Sequence, residues 1–140
     1  TTVGSMNTTI TFPRPTKALL SMNDRTHWRR KSSDVKTWRS AGYFAAYNAD
    51  ERLPVTMRVG TCIATYNARK FPSLVYVTLD VPDKRRRDPA NFFPCVKAIV
   101  DGLVDAGWWP DDTPEWVTVV EPVLRVVKGP LMVTVELRPR

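Results

Sequence analysis

Two groups of carboxylates flank the clearest helical pattern in this chain, and carboxylates are the usual protein ligands of Mg²⁺. Asp88 directly follows four cations, at 84–87. Asp111-Asp112 follows two tryptophans and a proline. Adjacent carboxylates repel each other, and both stay ionised at low cost only in water or beside a cation. The pattern is therefore typical either of two solvated turns or of a metal site with phosphate-binding arginines beside it.

Between these groups, Lys97 and Asp101 stand four residues apart, on one face of the expected helix. An ordinary ion pair explains this spacing. The alternative is that Lys97 lies beside a metal ion and contacts a phosphate. A helix of roughly 13 residues spans ~20 Å, so Asp88 and Asp111-Asp112 can meet only if a segment of the chain doubles back.

The distribution of charge points to a phosphate ligand. The net charge is +7 and the isoelectric point is near 9.8. Residues 1–87 carry 16 Lys/Arg against 6 Asp/Glu, whereas residues 88–121 carry only Lys97 against 7 Asp/Glu. A basic surface attracts nucleic acid. An acidic block repels the same ligand, and a bound divalent cation would explain why it is there.

A second basic segment, around His27 and Trp28, is interpreted as an arm with an aromatic side chain that can stack on an unpaired base. A disordered loop, or one ordered only by crystal contacts, is the alternative. The cations expected to bind DNA, from this arm and from the run before Asp88, are Arg25, Arg29, Arg30, Lys31, Lys84, Arg85, Arg86 and Arg87.

Several classes of protein are disfavoured by what the sequence lacks. With the single histidine His27, a histidine-rich metal site is excluded and a Ser-His-Asp hydrolase has little support. Neither a P-loop nor GxGxxG is present, so no nucleotide cofactor is expected. Cys62 and Cys95 lack metal-binding spacing, which favours buried thiols in a reducing cytoplasm. No apolar run approaches the ~20 residues that cross a bilayer.

The first half of the chain predicts a strand, a helix and two further strands. The strand at 8–12 stops at Pro13, and 21–33 is expected to be a loop. Ser33 or Asp34 is the expected N-cap of a helix that runs to Asn48. Strands are predicted over 55–66 and 74–81, with a hairpin loop over 67–72.

The second half predicts a helix and a closing hairpin. The apolar residues of this helix follow helical spacing, at Val96, Ile99, Val100, Leu103 and Val104. We expect a non-helical approach over 88–93, a helix start at or just before Pro94, and an end at Gly107. A hairpin is predicted from strands at 116–127 and 131–138.

These elements predict a single α+β domain with a mixed sheet of about four to five strands and two main helices. Thr1–Ser5 is interpreted as an expression-vector remnant before Met6, which leaves 6–140 as the domain.

The carboxylates, the lysine and the helix-ending glycine form one motif, RRRDPAN followed by K-x3-D-x-L-x2-A-G-x3-D-D, over residues 85–112. This motif resembles that of the RusA family of Holliday junction resolvases, which is common in phages. The segment Pro13-Arg14-Pro15, the Asn23 region and the helix after Ser33 are similar to the start of that family. The resemblance covers most of residues 6–138.

The resemblance implies a homodimer that cuts four-way DNA junctions with Mg²⁺, or with Mn²⁺ as a substitute, in the cytoplasm of a bacterium or of a phage host. The implied catalytic residues are Asp88, Lys97, Asp111 and Asp112. The implied metal ligands are Asp88, Asn91, Asp111 and Asp112.

Two departures from the family pattern bear on this reading. Ala90 stands where the family has a second carboxylate, and Asn91 and Lys97 are six residues apart where the family has three. Either Asn91 or a rearranged Asp101 is a candidate to replace the missing ligand. The alternative functions are a junction-binding protein with little or no nuclease activity, and a phage protein that engages a host partner through its basic surface.

Overall fold

The computed structural model describes residues 8–23, 28–49 and 72–140, and the fold is described for these residues. The predictions for Arg25, His27, Cys62, the strand at 55–66 and the loop after it lie outside them. The elements in chain order are β1 (Thr8–Pro13), α1 (Trp28–Ala49), β2 (Ser73–Val81), a 3-10 helix (Pro89–Phe92), α2 (Phe93–Asp105), β3 (Val117–Val119), β4 (Val123–Val126) and β5 (Met132–Pro139).

The strands form one five-stranded mixed sheet. β5 lies between β1 and β2 and is antiparallel to both. β3 and β4 are both parallel to β2 and pair with its first and last parts, respectively. With α1 and α2, this sheet confirms the predicted α+β domain with a mixed sheet and two main helices.

The predicted closing hairpin is wrong. The segment 116–127 contains the two short strands β3 and β4, and both pair with β2 rather than with β5. The turn after β4 carries the chain past the end of β2, where Val127 N donates to Val81 O at 3.0 Å. Alternation identifies β5 correctly, since Val133, Val135 and Leu137 are buried. An alternating pattern shows which face of a strand is buried, but it does not identify the neighbouring strand.

A buried carboxylate holds the strands on either side of β2 together. Asp80 is 2% exposed. Its carboxylate accepts two bonds from Arg125 on β4, at 2.9 and 3.2 Å, and one from Met132 N at the start of β5, at 3.0 Å. Sequence reasoning missed this contact, because it depends on β4 and β5 lying on opposite sides of one strand.

Helix α1 begins earlier than predicted. It starts at Trp28 rather than at Ser33 or Asp34, so the predicted loop over 21–33 is wrong for its last six residues. Arg29 and Arg30 are exposed, and an exposed turn contributes no apolar stripe to the sequence pattern. Arginine and lysine nevertheless have high helix propensity, which suits them to this turn.

Helix α2 is preceded by a 3-10 turn where a non-helical approach was predicted. Asp88 Oδ1 accepts a bond from Ala90 N at 3.1 Å and caps this turn, in which Pro89 is the first residue. The predicted apolar face of α2 is confirmed, since Val96, Ile99, Val100 and Leu103 are buried and Val104 packs beside them.

The end of α2 is the predicted glycine stop. Gly107 has φ +82°. Gly107 N donates to Val104 O at 2.9 Å, and Trp108 N donates to Leu103 O at 3.1 Å. These two bonds define a Schellman motif, and buried Leu103 and Trp108 supply the apolar pair that commonly accompanies it.

The two helices cross at closely apposed glycines. Gly42 on α1 faces the backbone of Ile99, and Gly102 on α2 faces the backbone of Arg39 and Tyr43. Beside the crossing, the Arg39 guanidinium donates two bonds to the Asp105 carboxylate, at 2.6 and 2.8 Å.

Two features of the structure bear on the protein classes that the sequence disfavours. Within the described ranges, no helix is long and apolar enough to cross a membrane. Cys95 is a buried free thiol that donates to Leu20 O at 3.3 Å, and burial raises its pKa to about 12.

We expect Gly102→Ala to destabilise the domain by about 1–3 kcal/mol, the usual cost of overpacking. The new Cβ would overlap the carbonyl oxygen of Arg39 and lie 2.7 Å from Tyr43 N, and neither backbone atom can easily move. Gly42→Ala is the milder matched variant, since its Cβ would lie 3.1 Å from Ile99 O. Urea unfolding measures both. A Gly102→Ala protein at least as stable as Gly42→Ala would contradict this close crossing.

Candidate functional site

The predicted cationic run follows β2 and folds into a turn held by its own side chains. Asp83 Oδ1 accepts bonds from Arg85 N at 3.0 Å and from the Arg87 guanidinium at 2.9 Å. Arg87 also donates to the carbonyl oxygens of Asp83 and Arg85. The Arg85 and Arg87 donors lower the pKa of Asp83, so this carboxylate is ionised at neutral pH.

This turn forms one wall of a cleft of about 780 Å³. Arg85 and Arg87 line the cleft together with Arg30, from the first turn of α1. The structure therefore brings together members of the two cationic groups that were predicted to bind DNA. Of the other members in the described residues, Lys84, Arg86, Arg29 and Lys31 are outside the cleft lining.

Two cations of the cleft, Arg14 and Lys17, were missed by sequence reasoning. Arg14 N donates to Leu131 O at 3.0 Å, which extends the pairing of β1 with β5 by one residue. The Arg14 guanidinium donates to Asp80 O at 3.0 Å and also to Lys17 O. Arg14 is thus fixed at the end of β2, and only the order of the strands in the sheet could have revealed this.

The cleft concentrates positive charge. Five cationic residues line it: Arg14, Lys17, Arg30, Arg85 and Arg87. Asp34 is its one acidic lining residue among the described ranges. Burial, and then the nearby Arg87 guanidinium, lower the pKa of Arg14. The two guanidinium groups repel each other, and an anion such as phosphate bound between them would relieve this repulsion.

The carboxylate of Asp88 lies between the cationic turn and α2. Its Oδ1 accepts the bond from Ala90 N, and within the described residues no bond joins this carboxylate to Lys97, Asp111 or Asp112. Asn91 makes a backbone contact in the same region. Its carbonyl oxygen accepts a bond from Met22 N at 2.8 Å, which attaches the 14–23 segment to the 3-10 helix.

Lys97 forms the centre of a second cluster. Its ammonium donates to Asp101 Oδ1 at 2.8 Å and to Asp112 Oδ2 at 2.7 Å. The expected i,i+4 ion pair is therefore present, and a carboxylate from beyond the helix joins it. The two acceptor carboxylates are partly exposed, at 24% for Asp101 and 32% for Asp112.

Asp112 reaches Lys97 because the chain does double back after α2. Beyond Gly107, Trp108 and Trp109 are each 1% exposed and anchor the returning segment. The Trp108 indole donates to Ala46 O at 3.2 Å, and the Trp109 indole donates to Ser73 Oγ at 3.1 Å. Asp111 stays exposed, and its Oδ1 accepts from Asp112 N at 2.7 Å.

The ion pairs shift the pKa values in this cluster in opposite directions. The bonds to Asp101 and Asp112 raise the pKa of Lys97. The bond from Lys97 lowers the pKa of Asp112. Lys97 and Asp112 are therefore both charged around neutral pH and form an ion pair.

The cleft and the Lys97 cluster lie on the two sides of the start of α2. Phe92 lines the cleft. Its neighbour Phe93 lines a smaller cavity of about 240 Å³ that also contains Lys97 and Asp112. The rest of this smaller cavity is apolar, formed by valines of α2 and β3.

The ligand set implied for Mg²⁺ is brought together only in part. Within the described residues, no group of three or more His, Cys, Asp or Glu side chains is arranged to hold a metal ion. However, Mg²⁺ in nucleic-acid and nucleotide sites is commonly bound by one or two carboxylates, waters and substrate phosphate oxygens. Asp101 and Asp112 fit that smaller set, since both already contact one cationic group and both are partly exposed.

Neither a scan of known protein-family models nor a search of curated proteins finds a match to this chain.

We expect Lys97→Met to raise the pKa of Asp112 towards that of an ordinary aspartate, because the ammonium is the main cause of its lowered value. An aspartate with a lowered pKa stabilises the fold above its unfolded pKa, and this stabilisation is lost as the pH falls through the folded value. A lysine with a raised pKa stabilises the fold below its unfolded pKa, and this stabilisation is lost as the pH rises through the folded value. The stability difference between the two proteins should thus be largest between about pH 4 and pH 10.

Carboxyl resonances followed by NMR during an acid titration measure this pKa. Lys84→Met, which removes an exposed ammonium outside the cluster, is the control. An Asp112 pKa that is the same in Lys97→Met and in the unchanged protein would contradict the pairing.

Proposed function

We propose that this chain is a Mg²⁺-dependent, structure-selective endodeoxyribonuclease that resolves four-way DNA junctions by paired cuts. The observation that carries the proposal is the position of a basic cleft and a lysine–carboxylate cluster on the two sides of the start of α2. A phosphodiester backbone bound by the first would be adjacent to the second. The motif resemblance to the RusA resolvases supports the same activity.

The basic cleft supports binding to the DNA backbone. Arg30, Arg85 and Arg14 come from three separate segments and lie in one concave surface. Arginine and lysine supply most of the affinity for DNA by neutralising phosphates, and this term is independent of sequence. A protein that recognises the shape of a junction rather than its sequence requires this type of contact.

The Lys97 cluster supports hydrolysis of that backbone. Asp101 and Asp112 would hold the metal ion, and Lys97 keeps these two carboxylates close to each other. When bound, Mg²⁺ supplies charge neutralisation at the phosphate and activation of the attacking water. The Lys97 ammonium places a further positive charge where the phosphate gains negative charge during attack.

This arrangement offers a replacement for the carboxylate that the family pattern has at position 90. The side chain of Ala90 has no oxygen that could bind a metal ion. Its backbone N–H donates to Asp88 Oδ1. Asp101, one helical turn beyond Lys97, is a carboxylate in direct contact with the Lys97 ammonium. Asp88 and Asp111 remain candidate ligands from the resemblance, since each binds a backbone N–H through Oδ1 and keeps its other carboxylate oxygen for a metal ion.

Paired cuts on a two-fold symmetric junction require two active sites related by two-fold symmetry. We therefore propose a homodimer that acts in the cytoplasm, where a bacterial or phage chromosome is found.

A second candidate is a junction-binding protein that does not cut. Two observations favour it: Ala90 in place of a carboxylate, and a lysine that already occupies the position between Asp101 and Asp112. The same experiment distinguishes the two candidates.

We expect symmetric nicks in an end-labelled four-way junction with Mg²⁺ or Mn²⁺, none in EDTA, and at least a hundredfold slower cutting by Asp112→Asn. Losing a charged metal ligand removes stabilisation of the transition state, and a loss of about 2.7 kcal/mol corresponds to this factor. Denaturing gels of the products measure the rate.

Glu121→Gln is the matched control, because Glu121 is an exposed acid of the same block that lies outside both cavities. Tight binding of the junction without cutting in either metal would favour the second candidate. Failure to bind the junction at low salt would contradict both and leave the basic surface for another partner.

A further inference from the structure

The basic cleft combines its cations with an apolar lining. Six of its lining residues are apolar and come from four segments: Ala18, Leu19, Val81, Pro82, Phe92 and Leu131. A surface that binds only the backbone of a duplex makes its contacts with phosphates and sugars, and has no need for an apolar recess. A ligand that matches both parts of this cleft carries a negative charge at one end and a flat, weakly polar face at the other.

The size of the cleft narrows the class of ligand further. Its volume of about 780 Å³ lies within the range of roughly 300–1,000 Å³ typical of small-ligand sites. Paired bases within a duplex are stacked on both sides, so their faces are not available to a protein recess. An unpaired nucleotide has both features, because its phosphate is anionic and its base offers a free face for stacking.

The charges around the cleft are arranged for such an anion. Lys17, Arg30 and Arg85 form no ion pair with any residue of the described ranges. Arg30 also lies in the first turn of α1, which contains no acidic residue. A cation there opposes the helix macrodipole. A bound phosphate would remove this unfavourable interaction.

We propose that this cleft binds an unpaired nucleotide at the branch point of the DNA, with its phosphate among Arg14, Arg30 and Arg85 and its base against Phe92. The proposal deepens and rests on the proposed junction nuclease activity, since it identifies what distinguishes the preferred DNA from plain duplex. Branched DNA can expose unpaired nucleotides where its arms meet, whereas a continuous duplex has none.

The placement of Phe92 gives the proposal a consequence for cutting. Phe92 and Phe93 are consecutive residues, and Phe93 lines the cavity that contains Lys97 and Asp112. A nucleotide held against Phe92 would therefore fix which phosphodiester lies beside the Lys97 cluster. The cut would fall at a constant distance from the unpaired nucleotide, whatever the sequence of the arms.

Binding measurements with substituted proteins test this assignment. We expect Phe92→Leu to bind a forked DNA and a single-stranded oligonucleotide about fivefold to a hundredfold more weakly, the range measured when one stacking aromatic is lost. Binding to a fully paired duplex of equal length should change less than twofold. Fluorescence anisotropy with labelled DNA provides the dissociation constants.

Phe44→Leu is the matched control for loss of an aromatic ring, because Phe44 is 61% exposed on α1 and lies outside the cleft. Arg85→Ala should weaken all three DNAs, whereas Lys36→Ala, a loss of charge on α1 outside the cleft, should weaken them less. Thermal melting of each variant distinguishes lost binding from lost folding. Phe92→Leu with an unchanged melting temperature and an unchanged ratio of fork to duplex affinity would overturn the proposal.

A photo-crosslink gives a second, independent test that does not require a substitution. We place 5-iododeoxyuridine either at an unpaired position of the fork or within a paired arm, and irradiate the complex. We expect the unpaired probe to crosslink to the peptide that contains Phe92, residues 88–97, and the paired probe to leave it unmodified. Equal crosslinking from both probes, or none in this peptide, would contradict the assignment.

These tests separate the inference from the nuclease proposal. If the unchanged protein cuts a four-way junction but Phe92→Leu keeps the same preference for fork over duplex, only the nucleotide site is wrong. If the protein neither binds nor cuts the junction, yet the unpaired probe still crosslinks at 88–97, the nucleotide site stands and the nuclease proposal is wrong.

Discussion

The candidate site depends on one constraint, the return of the chain after α2. The chain reverses at Gly107, whose positive φ an L-residue adopts only with strain, and two buried tryptophans then fix its path. Their indoles bond to α1 and to β2, so the returning segment is attached to both layers of the domain. Only for this reason does Asp112, 15 residues from Lys97, complete the lysine–carboxylate cluster. The same turn, the apolar face of α2 and the close glycine crossing with α1 form one packed unit.

The separation of charges in the sequence acquires a physical explanation. Of the acidic block, Asp101 and Asp112 share the Lys97 ammonium, while Asp105 pairs with Arg39 across the two helices. Three of the seven carboxylates of the block are therefore in ion pairs within the domain. The Lys97 cluster and the basic cleft remain distinct because the start of α2 lies between them. Asp101 and Asp112 are thereby kept apart from the cations of the cleft.

How much the sequence predicts depends on whether a feature is local. The apolar face of α2 and its glycine stop follow from spacing within one segment, and both are confirmed. The early start of α1 was missed because its first turns are exposed and cationic, which leaves no periodic signal. The position of β4 beside β2 was missed because alternation does not specify a partner. The place of Arg14 in the cleft was missed for the same reason. Its neighbours are fixed by the order of the strands, which no local pattern encodes.

The central claim, that the Lys97 cluster is a metal-dependent centre beside a DNA-binding cleft, is tested most directly by locating the metal. Mn²⁺ suits the same oxygen ligands as Mg²⁺, and it broadens the NMR signals of nearby nuclei. Added in steps to the protein with and without a short duplex, it should first broaden the amide signals of Asp101 and Asp112, and more strongly when DNA phosphates are present. Uniform broadening across the protein, or broadening centred elsewhere, would contradict this account.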